Sequence, residues 1–182
     1  MSVYLRKLIT KKMTLIIPIN GKTPLFGKDC FLAENATITG EVVMGDECSV
    51  WFNAVIRGDV NSITIGNRVN IQDQAVIHCT YQKAKTVIGN NVSIGHSAIV
   101  HGCTLHDNVL IGMGAIVMDH AVIGENSMIA AGAIVLENTI VEPGSIWAGT
   151  PAKKIKQMTP EHFKELNERI SRNYLMYSKW YK

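Results

Sequence analysis

The sequence predicts an all-β fold, a parallel β-helix of triangular cross-section followed by a C-terminal α-helix. Aliphatic residues recur every six positions, a small residue follows most of them four places later, and glycine or asparagine recurs between them. A six-residue period does not fit an α-helix, whose apolar stripe recurs every 3.6 residues, but it fits a short strand followed by a turn. Three such hexads per coil, stacked at about 4.8 Å, bury two positions of each hexad.

The repeat runs without a long break through most of the chain. Its anchor residues are Leu32, Ile38, Met44, Val50, Ile56, Ile65, Ile71, Ile77, Ile88, Ile94, Val100, Leu105, Ile111, Val117, Ile123, Ile129, Val135, Val141 and Trp147. We expect the corner residues to supply the positive φ of tight turns. They are Gly45, Gly66-Asn67, Gly89-Asn90-Asn91, Gly112, Gly124 and Asn126. An antiparallel sandwich is disfavoured because it needs longer alternating strands with variable spacing.

A helix is predicted after the repeat. Thr159-Pro160-Glu161 combines an N-cap residue, a proline at the first helical position and an early carboxylate. Five apolar residues then follow one helical stripe to about residue 178: Phe163, Leu166, Ile170, Tyr174 and Tyr177. We expect this helix to be a packing element along the prism, so that the β-helix with its lead-in spans residues 13–155 and the C-terminal segment spans residues 156–182.

Composition excludes several classes of protein. The net charge of +3 comes from basic residues in the first twelve positions, and the rest of the chain has no basic excess to attract nucleic acid. No apolar stretch approaches the roughly 18 residues that cross a membrane. The four cysteines form no CxxC pair, which indicates reduced thiols and predicts a cytoplasmic protein.

The first twelve residues lack the apolar core of a signal peptide, because lysines at positions 11 and 12 interrupt it. We expect residues 1–12 to be a disordered extension. A translation start at Met13 accounts for them equally well.

Counting coils places three polar residues in one column. Arg57, His78 and His101 are each the second residue of a hexad, and the three hexads lie one full coil apart. Successive coils are about 5 Å apart, so that two imidazoles of this column can reach one metal ion.

The same count places Gln72 and Asp73 one coil before His96, on a second edge. Because extended chain would separate His96 from His101 by about 15 Å, one chain cannot bring three histidines within ~2.1 Å of one ion. A neighbouring chain about a threefold axis can complete the site, which predicts a homotrimer with three equivalent sites. The remaining histidines lack this registration and are expected to be surface or packing residues: His106, His120 and His162.

These residues resemble the gamma-class carbonic anhydrase family over about residues 20–178. The resemblance is carried by Arg57-Gly58-Asp59, Asn70-Ile71-Gln72-Asp73, His78, His96 and His101. It implies a left-handed β-helix and a metal ion at each interface of a homotrimer, held by His78 and His101 of one chain and His96 of the next. It further implies an ion pair between Arg57 and Asp73 across the interface, with Asp59 and Gln72 arranging the metal-bound solvent.

Three neutral imidazoles around Zn²⁺ leave one position open and lower the pKa of bound water to near 7. Fe²⁺ and Co²⁺ suit the same ligands. The expected reaction is attack of a metal-bound hydroxide on CO₂ to give bicarbonate, with Gln72 orienting the hydroxide or the substrate. The best-known active members resemble this chain except for acidic residues near the metal, which Val60 and Tyr81-Gln82-Lys83 replace here. Low activity is therefore expected, because proton export limits turnover.

Other functions stay open. The same prism is the fold of acyl-CoA-dependent acyltransferases, and residues 148–153 resemble the close of their repeat domain. Those enzymes use one histidine base beside a pantetheine groove and need no registered set of three. An acyl-CoA thioesterase and a non-catalytic metal-stabilised trimeric module are the further alternatives.

Overall fold

The computed structural model describes residues 14–181, without the side chains at positions 160, 162 and 164–168. Short strands make up most of this part of the chain and one helix follows them. The elements are β1 (Leu15–Ile17), β2 (Leu25–Phe26), β3 (Phe31–Leu32), β4 (Thr37–Met44), β5 (Ser49–Val50), β6 (Val55–Ile65), β7 (Asn70–Ile71), β8 (Val76–His78), β9 (Thr86–Ile88), β10 (Ser93–Ile94), β11 (Ile99–His101), β12 (Thr104–Leu105), β13 (Leu110–Ile111), β14 (Ile116–Val117), β15 (Val122–Ile123), β16 (Met128–Ile129), β17 (Ile134–Val135), β18 (Ile140–Val141), β19 (Ser145–Ala148), β20 (Lys153–Gln157) and α1 (Pro160–Lys179).

The strands form a parallel β-solenoid with three faces. The first face runs in the order β17-β14-β11-β8-β6 and the second in the order β6-β9-β12-β15-β18, because the long strand β6 continues around a corner. The third face runs in the order β19-β16-β13-β10-β7-β5-β3. Ile77 pairs with Val100, and Ile94 pairs with Ile111. The predicted parallel β-helix with hexads in register is confirmed.

The two inward positions of each hexad form the core. Anchors such as Ile71, Ile94 and Ile111 are fully buried, and so are the small residues Ala75 and Ala98. Each buried isoleucine stabilises the fold by about 1.5–3 kcal/mol relative to an exposed one. The six-residue pattern therefore identifies the core correctly.

The corners differ from the expectation. The prediction of positive φ is wrong for five corner glycines. These are Gly45, Gly66, Gly89, Gly112 and Gly124. The prediction is confirmed for Asn126, with φ of 56°, and other residues further along the turns share this conformation, such as Asn108 with φ of 58°. The glycines are needed because coils stack closely: a Cβ on Gly112 would lie 2.4 Å from the backbone nitrogen of Ala131.

Polar side chains next to these glycines join neighbouring coils. The Oδ1 atom of Asn67 accepts the backbone N–H of Asp46 at 2.8 Å, and that of Asn90 accepts the N–H of Asn67 at 2.9 Å. Asp107 accepts the N–H of Asn90 at 2.8 Å in the same way. This ladder satisfies corner N–H groups that no strand pairing reaches.

Helix α1 begins at Pro160, as predicted, and packs on the third face against β5 and β10. Thr159 makes no side-chain capping bond, so proline at the first helical position is the local signal that starts the helix. Phe163 is buried, whereas Ile170 and Tyr174 are half-buried. No helix in the described part of the chain combines the length and the apolar character needed to cross a membrane.

Strand β20 pairs antiparallel with β19, and the predicted domain boundary after residue 155 falls within it. The expectations for residues 1–12 and for the side chains of His162 and Leu166 lie outside the described residues.

Candidate metal centre

Arg57, His78 and His101 lie in one column on the first face, as the coil count predicts. His101 pairs directly with His78 in the register of β11 and β8. Nδ1 of His78 lies 3.0 Å from Nε2 of His101 and 3.5 Å from Nη2 of Arg57. Coil stacking alone therefore brings two imidazoles into contact.

A carboxylate holds the other ring nitrogen of His101. Oδ1 of Asp119 lies 2.5 Å from Nδ1 of His101, and Oδ2 of Asp119 accepts a hydrogen bond from the Thr80 hydroxyl. Burial alone would raise the pKa of Asp119, but the hydrogen bonds from Thr80 and His101 hold it below its usual value. Asp119 is therefore ionised and accepts the Nδ1–H of His101, which leaves a lone pair on Nε2.

His78 is held in the same way. Its Nε2 lies 3.2 Å from Oδ1 of Asp59, whose Oδ2 accepts a 2.7 Å hydrogen bond from Arg57. Burial, followed by the charge of Arg57, lowers the pKa of His78. Burial alone would raise the pKa of Asp59, but hydrogen bonds from Arg57 and His78 lower it. His78 is therefore neutral at pH 7, with its lone pair on Nδ1.

The two histidines thus turn lone pairs toward each other at 3.0 Å. Such a pair is repulsive unless a proton or a metal ion lies between the nitrogens. Two nitrogens bound to one tetrahedral Zn²⁺ at ~2.0–2.1 Å lie about 3.3 Å apart. The observed spacing is within a few tenths of an ångström of that value, so the two donors fit a shared zinc ion.

His96 lies on the other edge, beyond β10. Its Nδ1 is 2.8 Å from Oδ2 of Asp73, and its Nε2 is 3.4 Å from the hydroxyl of Tyr174 on α1. Burial and the nearby charge of Asp73 raise the pKa of Tyr174 to about 12, so the hydroxyl stays protonated. Among the side chains that the structure describes in one chain, no three of His, Cys, Asp or Glu are arranged to hold one ion.

All three histidines therefore share one feature, a carboxylate on one ring nitrogen. Asp59, Asp73 and Asp119 occupy these positions. Metal-binding histidines almost always donate their second N–H to such a partner, which sets the tautomer and the ring orientation. The donor set suits Zn²⁺, and Fe²⁺ or Co²⁺ by the same chemistry.

The remaining predicted residues lie around these histidines. Gln72 is buried, and its amide donates a 3.0 Å hydrogen bond to Asn70, which in turn donates to Ser93. Within one chain Arg57 pairs with Asp59, and Asp73 pairs with His96. An ion pair between Arg57 and Asp73 of different chains stays a prediction.

Sequence reasoning missed Asp119, Thr80 and the position of Tyr174. Val100 pairs with Val117 in the next coil, so the coil count places Met118 beside His101 and misses Asp119, one residue further along. Tyr174 was expected only to pack, because no sequence pattern gives the place where a terminal helix docks.

The surface role predicted for the two other described histidines agrees with the structure. His106 and His120 are exposed, as expected of surface residues. Cys79 is buried, with its sulfur 3.5 Å from the Thr86 hydroxyl, and is a core thiol.

Comparisons with known proteins match this architecture. Residues 102–137 match the family described as "Bacterial transferase hexapeptide (six repeats)". A protein of Geobacillus kaustophilus named carbonic anhydrase is 49% identical over 92% of this chain and 91% of its own length. Gamma carbonic anhydrase 2 of Arabidopsis thaliana mitochondria is 40% identical over 85% of this chain, which spans 57% of that longer protein.

Among solved structures, a putative acetyltransferase of Bacillus cereus is 41% identical. It superposes with a TM-score of 0.86 over 92% of this chain and 96% of its own.

Proposed function

The chain belongs to the gamma-class carbonic anhydrase family, and on that premise we propose that it catalyses the reversible hydration of CO₂ to bicarbonate. The site is a metal centre shared between the subunits of a homotrimer. The observation that supports this proposal most directly is the pair of lone-pair nitrogens 3.0 Å apart on His78 and His101, each imidazole backed by a carboxylate.

His78 and His101 of one subunit and His96 of its neighbour would hold the ion, Zn²⁺ or alternatively Fe²⁺ or Co²⁺. The chemistry that such an ion supplies when bound is the acidification of water, whose pKa falls to about 7. His96 needs a partner chain, because its side chain contacts Asp73 and Tyr174 on a different edge of the prism.

The carboxylates fix the tautomer and the orientation of the imidazoles. Asp119 accepts the Nδ1–H of His101 and Asp59 lies against Nε2 of His78. Each leaves the opposite nitrogen free to bind a cation, and each fixes the plane of its ring. Asp59 and Asp119 contact the ring nitrogens that face away from the ion. The groups that would bind the ion directly are therefore imidazoles and not carboxylates.

Gln72 is proposed to orient the attacking water or the CO₂ molecule. Its amide N–H is used in the bond to Asn70, which fixes the side chain and leaves the carbonyl oxygen Oε1 outside that bond. Arg57 and Asp73 are proposed to join neighbouring subunits.

Transfer of the proton from the site to buffer is expected to be the slow step. The half-buried Val60 and the exposed Tyr81, Gln82 and Lys83 provide no carboxylate that could pass a proton to buffer. We therefore propose a low turnover that rises with the concentration of buffer.

Acyl transfer is the second candidate, favoured by the 41% identity to a putative acetyltransferase and by the description of the matching repeat family. A single histidine base would serve that reaction. It would leave the carboxylate pairing of three separate histidines without a function.

One set of measurements distinguishes these functions. We expect the purified protein to hold about one metal ion per chain, to have three times the 20.0 kDa chain mass in solution, and to hydrate CO₂ without releasing CoA from acyl-CoA. His101→Ala should abolish metal binding and hydration, whereas the control His106→Ala, at an exposed site, should retain both. Unchanged metal content and hydration rate in His101→Ala would refute the proposal. CoA release or a metal-bound but inactive trimer would favour the thioesterase, transferase or non-catalytic alternatives.

A further inference from the structure

We propose that Asp119, held in place by Thr80, is a positioning residue that sets the tautomer and the ring orientation of His101. The inference rests on the proposed function, because a fixed His101 matters only if its Nε2 binds the metal ion. Asp119 touches neither the metal position nor the substrate and acts through His101.

Both oxygens of Asp119 are committed. Oδ1 lies 2.5 Å from Nδ1 of His101, and Oδ2 accepts the hydroxyl hydrogen of Thr80. The Asp119 side chain is 16% exposed, so water competes weakly for these bonds. A carboxylate held at both oxygens cannot rotate away from the imidazole.

Thr80 is itself fixed. It lies two residues beyond the end of β8 and forms a bridge with Ala84, with its backbone N–H 3.1 Å from the Ala84 carbonyl. Its own carbonyl accepts a 3.4 Å hydrogen bond from Asn61. The turn at residues 80–84 therefore fixes the position of the Asp119 carboxylate, and Asp119 in turn fixes the ring of His101.

The consequence concerns which nitrogen of His101 carries the proton. A neutral imidazole has two tautomers, and the partner of one nitrogen decides which nitrogen keeps a lone pair. Asp119 selects the Nδ1–H form, which directs the Nε2 lone pair at Nδ1 of His78. Without Asp119 the ring can rotate and the proton can move to Nε2, where it blocks metal binding. Loss of such partners lowers metal affinity about 10–100-fold.

The first test is metal affinity, measured by competition of Zn²⁺ with a chelator. We expect Asp119→Ala to bind Zn²⁺ about 10–100-fold more weakly than the wild type. Asp119→Asn, which keeps a neutral acceptor, should fall between the two. The matched control is Asp107→Ala, since Asp107 also accepts a hydrogen bond at a coil corner but lies at an exposed position away from the histidines. Its affinity should stay within about twofold of the wild type.

The hydroxyl of Thr80 provides a milder variant pair. Thr80→Val should weaken Zn²⁺ binding by a smaller factor than Asp119→Ala, and Thr80→Ser should restore it. If Asp119→Ala fails to fold, this pair decides the question, and equal affinities for Val and Ser would overturn the inference. Wild-type affinity in a folded Asp119→Ala would overturn it as well.

The second test needs no metal. In ¹⁵N-histidine NMR spectra of the metal-free protein above pH 8, His101 should be the Nδ1–H tautomer, and Asp119→Ala should shift it toward Nε2–H. An Nε2–H tautomer in the wild type would overturn the inference. A wild type with the expected tautomer but without metal binding or CO₂ hydration would refute the proposed function alone.

Discussion

Nδ1 of His78 lies 3.0 Å from Nε2 of His101, although 23 residues separate them in sequence. One coil of the β-helix accounts for this contact, because paired positions of successive coils stack at strand spacing. His96 cannot join them by stacking, since it follows a strand of the third face. The proposed three-histidine site therefore requires a second subunit to supply His96.

Mixing two inactive variants should restore part of the function. His96→Ala subunits keep His78 and His101, whereas His101→Ala subunits keep His96. In a mixed trimer one interface in three combines the intact residues of both variants. We expect co-refolded mixtures to regain metal and hydration that neither variant has alone. Mixtures as inactive as the separate variants would argue for a site within a single chain.

Truncating the core beneath His96 should destabilise the fold. Ile94 is fully buried in the hexad that carries His96. Ile94→Ala should lower the free energy of unfolding by about 2–5 kcal/mol, because it leaves a cavity. The control Ile140→Ala, at a side chain 65% exposed, should change it by less than about 0.5 kcal/mol. Denaturant titrations at one protein concentration measure both, and equal effects would contradict the assignment of the core.

Two glycines in one coil should tolerate alanine differently. A Cβ on Gly112 meets the backbone of Ala131 at 2.4 Å, whereas a Cβ on Gly114 meets nothing within 4 Å, although Gly114 has a φ of 66°. Gly114→Ala should cost about 1–2 kcal/mol of backbone strain. Gly112→Ala should cost more, because adjacent coils must separate. Thermal unfolding compares the two, and the reverse order would show that turn conformation outweighs coil stacking.

Thiol reactivity should distinguish one cysteine from the other three. Cys30 is half-buried, while the thiols of Cys48, Cys79 and Cys103 are buried. Burial also raises the pKa of Cys79, and raises that of Cys103 to about 12, which suppresses the reactive thiolate. At pH 8 one thiol per native chain should react quickly with a disulfide reagent, and all four should react after unfolding. Two or more fast thiols in the folded protein would contradict these burial assignments.

The column of Arg57, His78 and His101 could be predicted from the sequence because a regular six-residue repeat converts position in the chain into position in space. The same count placed Asp73 beside His96. The corner glycines were misinterpreted, because turn conformation and close stacking both select glycine, and only the three-dimensional structure distinguishes the two causes.

The sequence by itself determined the repeat, the core positions and the stacked histidines, since each follows from counting residues along a periodic chain. Only the tertiary structure decided that Asp119 reaches His101 and that Tyr174 reaches His96. The first contact depends on the direction of a side chain at a coil corner, and the second on how a non-repeating helix docks on the third face. Neither is periodic, and a periodic count therefore cannot reach them.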